Sequence, residues 1–212
     1  MENNQKEVQV IDSPVIAYRN VFKREDTRQF SFVDFIKNPQ VIFESFEIED
    51  FENELEKIKN IQVKEERNNA KRNFIPAVDL SQSGILSIDI DGINKNELVK
   101  EKIIEKLSKL TSVYVLMESV SGNLVAFFKY QCSTKDFPFL YYKIYLELTL
   151  LLSVNIDFLP EIGRLRYVSN GQVYIFNENC NVLDEILEVD SLPYINTQVG
   201  KDRARKTIYG SN

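Results

Sequence analysis

The chain has 212 residues, 43% hydrophobic and 27% charged, a globular balance that excludes a disordered polymer and leaves room for one sizeable domain. It contains no histidine, which removes Ser-His-Asp and Cys-His catalysis, the common zinc-hydrolase ligand sets and any imidazole base. A net charge of -6 argues against an indiscriminately basic nucleic-acid binder but leaves a local basic groove possible.

Other exclusions are brief. No run approaches the roughly 18 apolar residues that a membrane span needs. The opening Met1–Glu7 is polar, so no secretory signal is expected. Cys132 and Cys180 are too few and too far apart for a disulfide framework, which fits free thiols and a cytoplasmic location.

In chain order, residues 1–12 read as a flexible leader and 13–192 as the domain. Val15 to Phe22 is rich in β-formers and suits an edge strand; Phe30 to Ile36 opens a short helix. Glu44 to Glu56 is acidic, with Phe46, Phe51 and Leu55 near helical spacing, so a solvated acidic helix is expected. Lys64 to Arg72 reads as a charged connector closed by Pro76. Ile85 to Asp91 alternates strictly, with Leu86, Ile88 and Ile90 on one face and Ser87, Asp89 and Asp91 on the other.

Leu98 to Leu110 has helical apolar spacing at Val99, Ile103, Leu107 and Leu110. Val113 to Met117 and Leu124 to Tyr130 are strands around the turn-rich Ser119–Asn123. Phe139 to Leu152 is a long apolar helix, and Arg164 to Val168 with Gln172 to Phe176 reads as a last hairpin around Asn170-Gly171. Residues 193–212 form a basic tail or linker. The order predicts an α+β fold, an RRM-like split βαβ antiparallel sheet with helices on one face and Asp89 and Asp91 on the opposite, open face.

Two aspartates two apart on a strand stand about 7 Å apart at Cα, and their side chains can converge on metals roughly 3.5–4 Å apart. Taken alone, the pair is weak evidence, since strand ends often carry Asp before a turn glycine. A calcium loop is excluded, because aligning Gly92 to the loop glycine puts Leu98 where the bidentate glutamate belongs. Asp157 is either a third ligand or a plain loop residue. Arg164 and Arg166 alternate, so they either receive phosphates beside the acids or make surface ion pairs.

The runs Ser83–Asp91, Glu118–Gly122, then Asp157 followed by Arg164–Ser169, in this order and spacing, resemble the archaeo-eukaryotic primase superfamily. The nearest likeness is to its VirE-type N-terminal primase-polymerase branch of mobile elements and phages. Tyr18–Phe22 and Ala70–Ala77 also resemble that branch, so the likeness spans roughly residues 15 to 180.

The resemblance implies a primase-polymerase catalytic core that adds nucleotides on a nucleic-acid template, single-stranded or primer-template, using nucleoside triphosphates and Mg²⁺ or Mn²⁺. Asp89, Asp91 and Asp157 would be the catalytic metal ligands. Ser121, Gly122, Lys129, Arg164 and Arg166 would bind the nucleotide, and Lys71 and Arg72 would track the strand. A helicase or other replication domain is a possible companion. The family places a His, or in this branch a Lys, soon after the glycine of its second motif, where this chain has Asn123-Leu124-Val125. Either Lys129 or Arg164 substitutes, or the domain is a lapsed module that keeps only binding.

Overall fold

The computed structural model describes residues 14–93, 96–154, 156–160 and 165–184. The leader, the basic tail and Arg164 lie outside the described residues. In chain order the elements are β1 (Pro14–Tyr18), β2 (Thr27–Ser31), α1 (Phe32–Lys37), α2 (Pro39–Ser45), α3 (Phe51–Asn60), α4 (Lys64–Phe74), β3 (Ala77–Asp79), β4 (Ile85–Ile90), α5 (Glu97–Ser108), β5 (Val113–Glu118), β6 (Leu124–Lys129), α6 (Phe137–Leu152), β7 (Leu165–Tyr167) and β8 (Val173–Phe176). They form an α+β fold with two antiparallel four-stranded sheets, ordered β2-β1-β3-β7 and β4-β6-β5-β8, and six helices among the described residues.

The second sheet carries the alternating strand read from the sequence. β6 lies between β4 and β5, the two strands that α5 connects, so this unit is a βαβ split by an antiparallel strand. Leu86, Ile88 and Ile90 of β4, with Leu124, Ala126 and Phe128 of β6, pack against Ile103 and Leu107 of α5 and Leu140, Ile144 and Leu148 of α6. Asn96 caps α5 by accepting from the Val99 amide, and Pro138 sits in the first turn of α6, where its missing N–H costs nothing.

The opposite face is not open. Ile85, Tyr114, Val115, Met117, Val125 and Phe127 point into a second core shared with α1, α2, α3 and the first sheet. Phe32 stacks on Tyr114 at 5.4 Å between ring centroids and meets Phe127 edge-on at the same distance. The departure from an open face has a simple cause: Val125 and Phe127 are apolar on that face too, so β6 is buried on both sides, as a covered strand should be.

Further expectations change. β1 is interior to its sheet, between β2 and β3, because polar Thr27–Ser31 forms the outer strand. The acidic stretch is split between α2 and α3, with Glu47 and Asp50 at positive φ in the joint. Lys64–Phe74 is a helix rather than a connector. The last two strands are no hairpin: β7 joins the first sheet and β8 the second. Asn170-Gly171 is therefore a crossover, and Gly171 is needed there because a Cβ would stand 2.5 Å from Glu118.

Candidate functional site at the seam between the two sheets

Asp89 lies on the face of β4 that looks toward the first sheet, directly across from Val125. On its other side, the chain leaving α6 returns alongside β4. Ile156 bridges to Ile90 in antiparallel sense, and the Asp157 amide donates to the Asp89 carbonyl at 3.2 Å. Antiparallel pairing thus sets Asp157 opposite Asp89, so their side chains leave the same face, with Cβ atoms about 5 Å apart. Asp91 follows two residues on and receives a hydrogen bond from Asn123 Nδ2 at 3.0 Å, while Asn123 Oδ1 accepts from the Ile93 amide. Gly92, at φ +77°, turns the chain away just beyond.

The first sheet supplies the countercharge. Arg166 on β7, paired with Val78, reaches across the seam. Its Nη1 donates to Asp89 Oδ2 at 2.6 Å, its Nη2 to the Ser87 carbonyl at 2.9 Å and its Nε to the Ser87 hydroxyl. The Arg166 side chain is 8% exposed and that of Asp89 17% exposed, so solvent reaches the carboxylate end of the pair. Such a desolvated pair is held by its full set of hydrogen bonds more than by net Coulomb gain.

Lys71, buried on the last turn of α4, adds a second cation. Burial, with Arg67 acting the same way, lowers its pKa below the ordinary lysine value; Asp91 and Asp89 oppose that shift, which places the ammonium within electrostatic reach of both acids. Arg67 precedes Lys71 by one helical turn and donates to the Ile61 carbonyl.

The remaining candidates divide. Ser121 and Gly122 sit in the β5–β6 turn at the Asp91 end of the sheet, joined to it through Asn123. The Gly122 amide is already used by the Ser119 carbonyl, and the Ser119 and Ser121 hydroxyls are 3.2 Å apart. Arg72 is exposed on α4 and lies against the Tyr167 hydroxyl. Lys129 is not brought to the site. It pairs with Ile85, four residues from the Asp89 position and so about 13 Å along the strand. There its ammonium donates to the Glu178 carbonyl and covers the Tyr114 ring at 4.1 Å. Val125, beside Asp89, is buried.

Among the described residues no three carboxylate, thiol or imidazole side chains converge as a ready metal cage. The backbone nevertheless collects three carboxylates on one face, an all-oxygen donor set of the kind that suits Mg²⁺ or Mn²⁺. A carboxylate has about four lone-pair sites, so Asp89 can hold Arg166 and still ligate a cation.

A second ionic cluster escaped the sequence reading. Lys100 of α5, 5% exposed, hydrogen-bonds Glu118 at the end of β5, and Tyr174 donates to the same Glu118 oxygen at 3.0 Å. Burial works to lower the Lys100 pKa, but the Glu118 and Tyr174 hydrogen bonds outweigh it and raise the value. For Glu118 burial works upward, and Lys100 with Tyr174 bring the net value down. The available signal was a lysine one turn before Ile103 and two before Leu107, on the buried stripe of α5.

Among the described residues no helix is long and apolar enough to cross a membrane. Comparison with protein-family models, with curated proteins and with solved structures returned no match to this chain.

Proposed function

We propose that the chain is a metal-dependent nucleotidyltransferase domain of the primase-polymerase type, working at the seam between its two sheets. The observation that carries this reading is the Asp89–Arg166 ion pair at the seam, with Asp157 set opposite Asp89, Asp91 two residues on, and Lys71 within electrostatic reach of the two β4-side acids. Phosphoryl transfer needs positioning and charge neutralisation rather than covalent chemistry from the protein. The RRM-like element of the reading is supported by the strand order β4-β6-β5 with α5 as the connection.

Asp89, Asp91 and Asp157 would hold Mg²⁺ or Mn²⁺, which when bound supplies neutralisation of the triphosphate and acidification of the attacking 3′-hydroxyl. In the transfer, the 3′-oxygen forms a bond to the α-phosphorus, the bridging α–β P–O bond breaks, pyrophosphate leaves and the hydroxyl proton passes to solvent. Lys71 and Arg166 would receive phosphate oxygens. Lys71 thereby takes the place that Val125 cannot fill. Asn123 would fix Asp91, and Ser87 would fix Arg166.

The test is primer extension with labelled nucleotides and Mn²⁺. Incorporation by the wild type, lost in Asp89→Asn, supports the reading; no incorporation, or incorporation indifferent to Asp89, refutes it. One observation favours a second reading, a module that binds nucleotide or nucleic acid without turnover: Asp89 already spends an oxygen on Arg166, beside an apolar Val125. That module would bind nucleotide equally well with metal or with chelator.

A further inference from the structure

The β1–β2 turn is folded against the last turn of α4 by one buried side chain. Asn20 accepts from the Phe22 and Lys23 amides through Oδ1, both at 3.0 Å, and donates from Nδ2 to the Asn73 carbonyl at 2.8 Å. The clamp brings the backbones at Phe22 and Asn73-Phe74 together, and both rings stand in water, 63% and 57% exposed. Two exposed phenylalanines anchored beside one another along the backbone offer apolar faces to a ligand.

The turn is basic. Arg19, Lys23 and Arg24 lie in it, while Asp26 is engaged by Arg28 at 2.7 Å, leaving Glu25 as the other acid of the turn. Arg19 Nη1 is shielded from water with no hydrogen-bond acceptor, a donor suited to an anion. One stripe of α4 connects this rim to the seam. Arg67, Lys71 and Phe74 fall at i, i+4 and i+7, so the same face carries Lys71 toward the acids and Phe74 to the surface.

We infer that Phe22 and Phe74 form a base-stacking platform for single-stranded nucleic acid, with Arg19, Lys23 and Arg24 on the phosphates, feeding the strand toward Lys71 and the aspartates. Exposed rings among cations are what a sequence-tolerant strand binder needs, since every base has a π-face and every linkage a phosphate. The inference rests on the nucleic-acid part of the reading above and adds the strand's entry site to it.

The full chain is titrated with fluorescent dT20 and U20 by anisotropy in EDTA, so that no metal-dependent chemistry contributes. Wild type binds at least one of them, and the two oligonucleotides report whether DNA or RNA is preferred. Phe22→Ala with Phe74→Ala weakens binding at least about tenfold, while Phe22→Tyr with Phe74→Tyr retains it. Lys23→Ala with Arg24→Ala lowers the log–log salt slope by about 0.7 for each phosphate that is no longer neutralised. A wild type that binds neither oligonucleotide, or an alanine pair that binds like wild type, overturns the platform. If Mn²⁺-dependent incorporation sensitive to Asp89 persists in that case, the enzymatic reading stands without it. If the platform binds but incorporation ignores Asp89, only the enzymatic reading falls.

Discussion

Two ionic clusters flank the same end of the β4-β6-β5 sheet, one on each face, and they are built on different plans. On the helix-backed side, Lys100 closes on Glu118 and Tyr174 and also meets the exposed Glu97 at 3.5 Å. On the seam side, Arg166 and Lys71 meet Asp89, Asp91 and Asp157, and the lysine's proton is held less tightly than usual. The first cluster satisfies itself and so acts as a brace between α5 and the sheet. The second brings three acids and the cations Arg166, Lys71 and Arg67 to a place that solvent still reaches. Acids and cations gathered at a seam that solvent reaches suit a charged ligand.

The contrast can be broken by substitution, beginning with the largest effect. Asp89→Asn should lower nucleotide incorporation by on the order of 10²–10³ in single-turnover primer extension, the scale of losing one preorganised electrostatic group. Asn keeps an oxygen acceptor for Arg166 but removes the countercharge of a buried guanidinium, so the variant's thermal midpoint should also fall. Lys100→Met should cost about 1–3 kcal/mol in urea unfolding by stranding Glu118 without its partner, while incorporation stays intact. Were the two variants to behave alike, the distinction between brace and site would fail.

Lys71→Met sharpens the contrast further. It keeps the stem that α4 buries and removes only the charge, so the fold should be as stable as wild type or slightly more so. Nucleotide affinity should nevertheless fall about tenfold, roughly the worth of one charge-assisted phosphate hydrogen bond. Equal affinity would return Lys71 to a merely buried lysine. The smallest effect is on pH dependence. Because Glu118 is held below its ordinary range, its contribution is present above the unfolded carboxylate value and is lost as pH falls through the lower, folded one. Lys100, held above its ordinary range, contributes fully below the unfolded lysine value and loses that as pH rises through the folded one. Lys100→Met should therefore flatten the acid limb of a urea-midpoint profile taken across the carboxylate range, and an unchanged limb would show that the cluster is no brace.

What could be read in the sequence was what a local period encodes. The alternation of Ile85–Asp91, the helical spacing of Leu98–Leu110 and the apolar run to Leu152 each dictate their own element, and β4, α5 and α6 appear where expected. The β5–β6 hairpin followed from its turn residues in the same way. Failures came where tertiary structure decides. Thr27–Ser31 has no apolar face to announce a strand and exists because β1 offers its edge. Lys64–Phe74 buries little besides Lys71, so its helix was hidden by its charges. At Asn170-Gly171 the local turn signal misled, because the glycine serves the close approach of Glu118.

The site was legible as a set of residue types and less so as an arrangement. Ser87, Asp89 and Asp91 share a face because a strand has period two. The meeting of Asp89 with Arg166, 77 positions apart, depends on β7 choosing the other sheet, which no window of sequence reports. Lys129 shows the converse. Nearness to the second motif along the chain placed it in the site, but strand rise carries it to the far end of β6.

The central claim is that the seam acids gather a metal–nucleotide complex. It is tested most directly by titrating the protein with Mn²⁺ and a non-hydrolysable nucleoside triphosphate, following bound Mn²⁺ by electron paramagnetic resonance. The expected result is saturable, nucleotide-dependent Mn²⁺ binding that weakens at least about tenfold in Asp89→Asn and in Asp157→Asn and is unchanged in Lys100→Met. Binding that survives removal of either aspartate, or no Mn²⁺–nucleotide binding by the wild type, would contradict it.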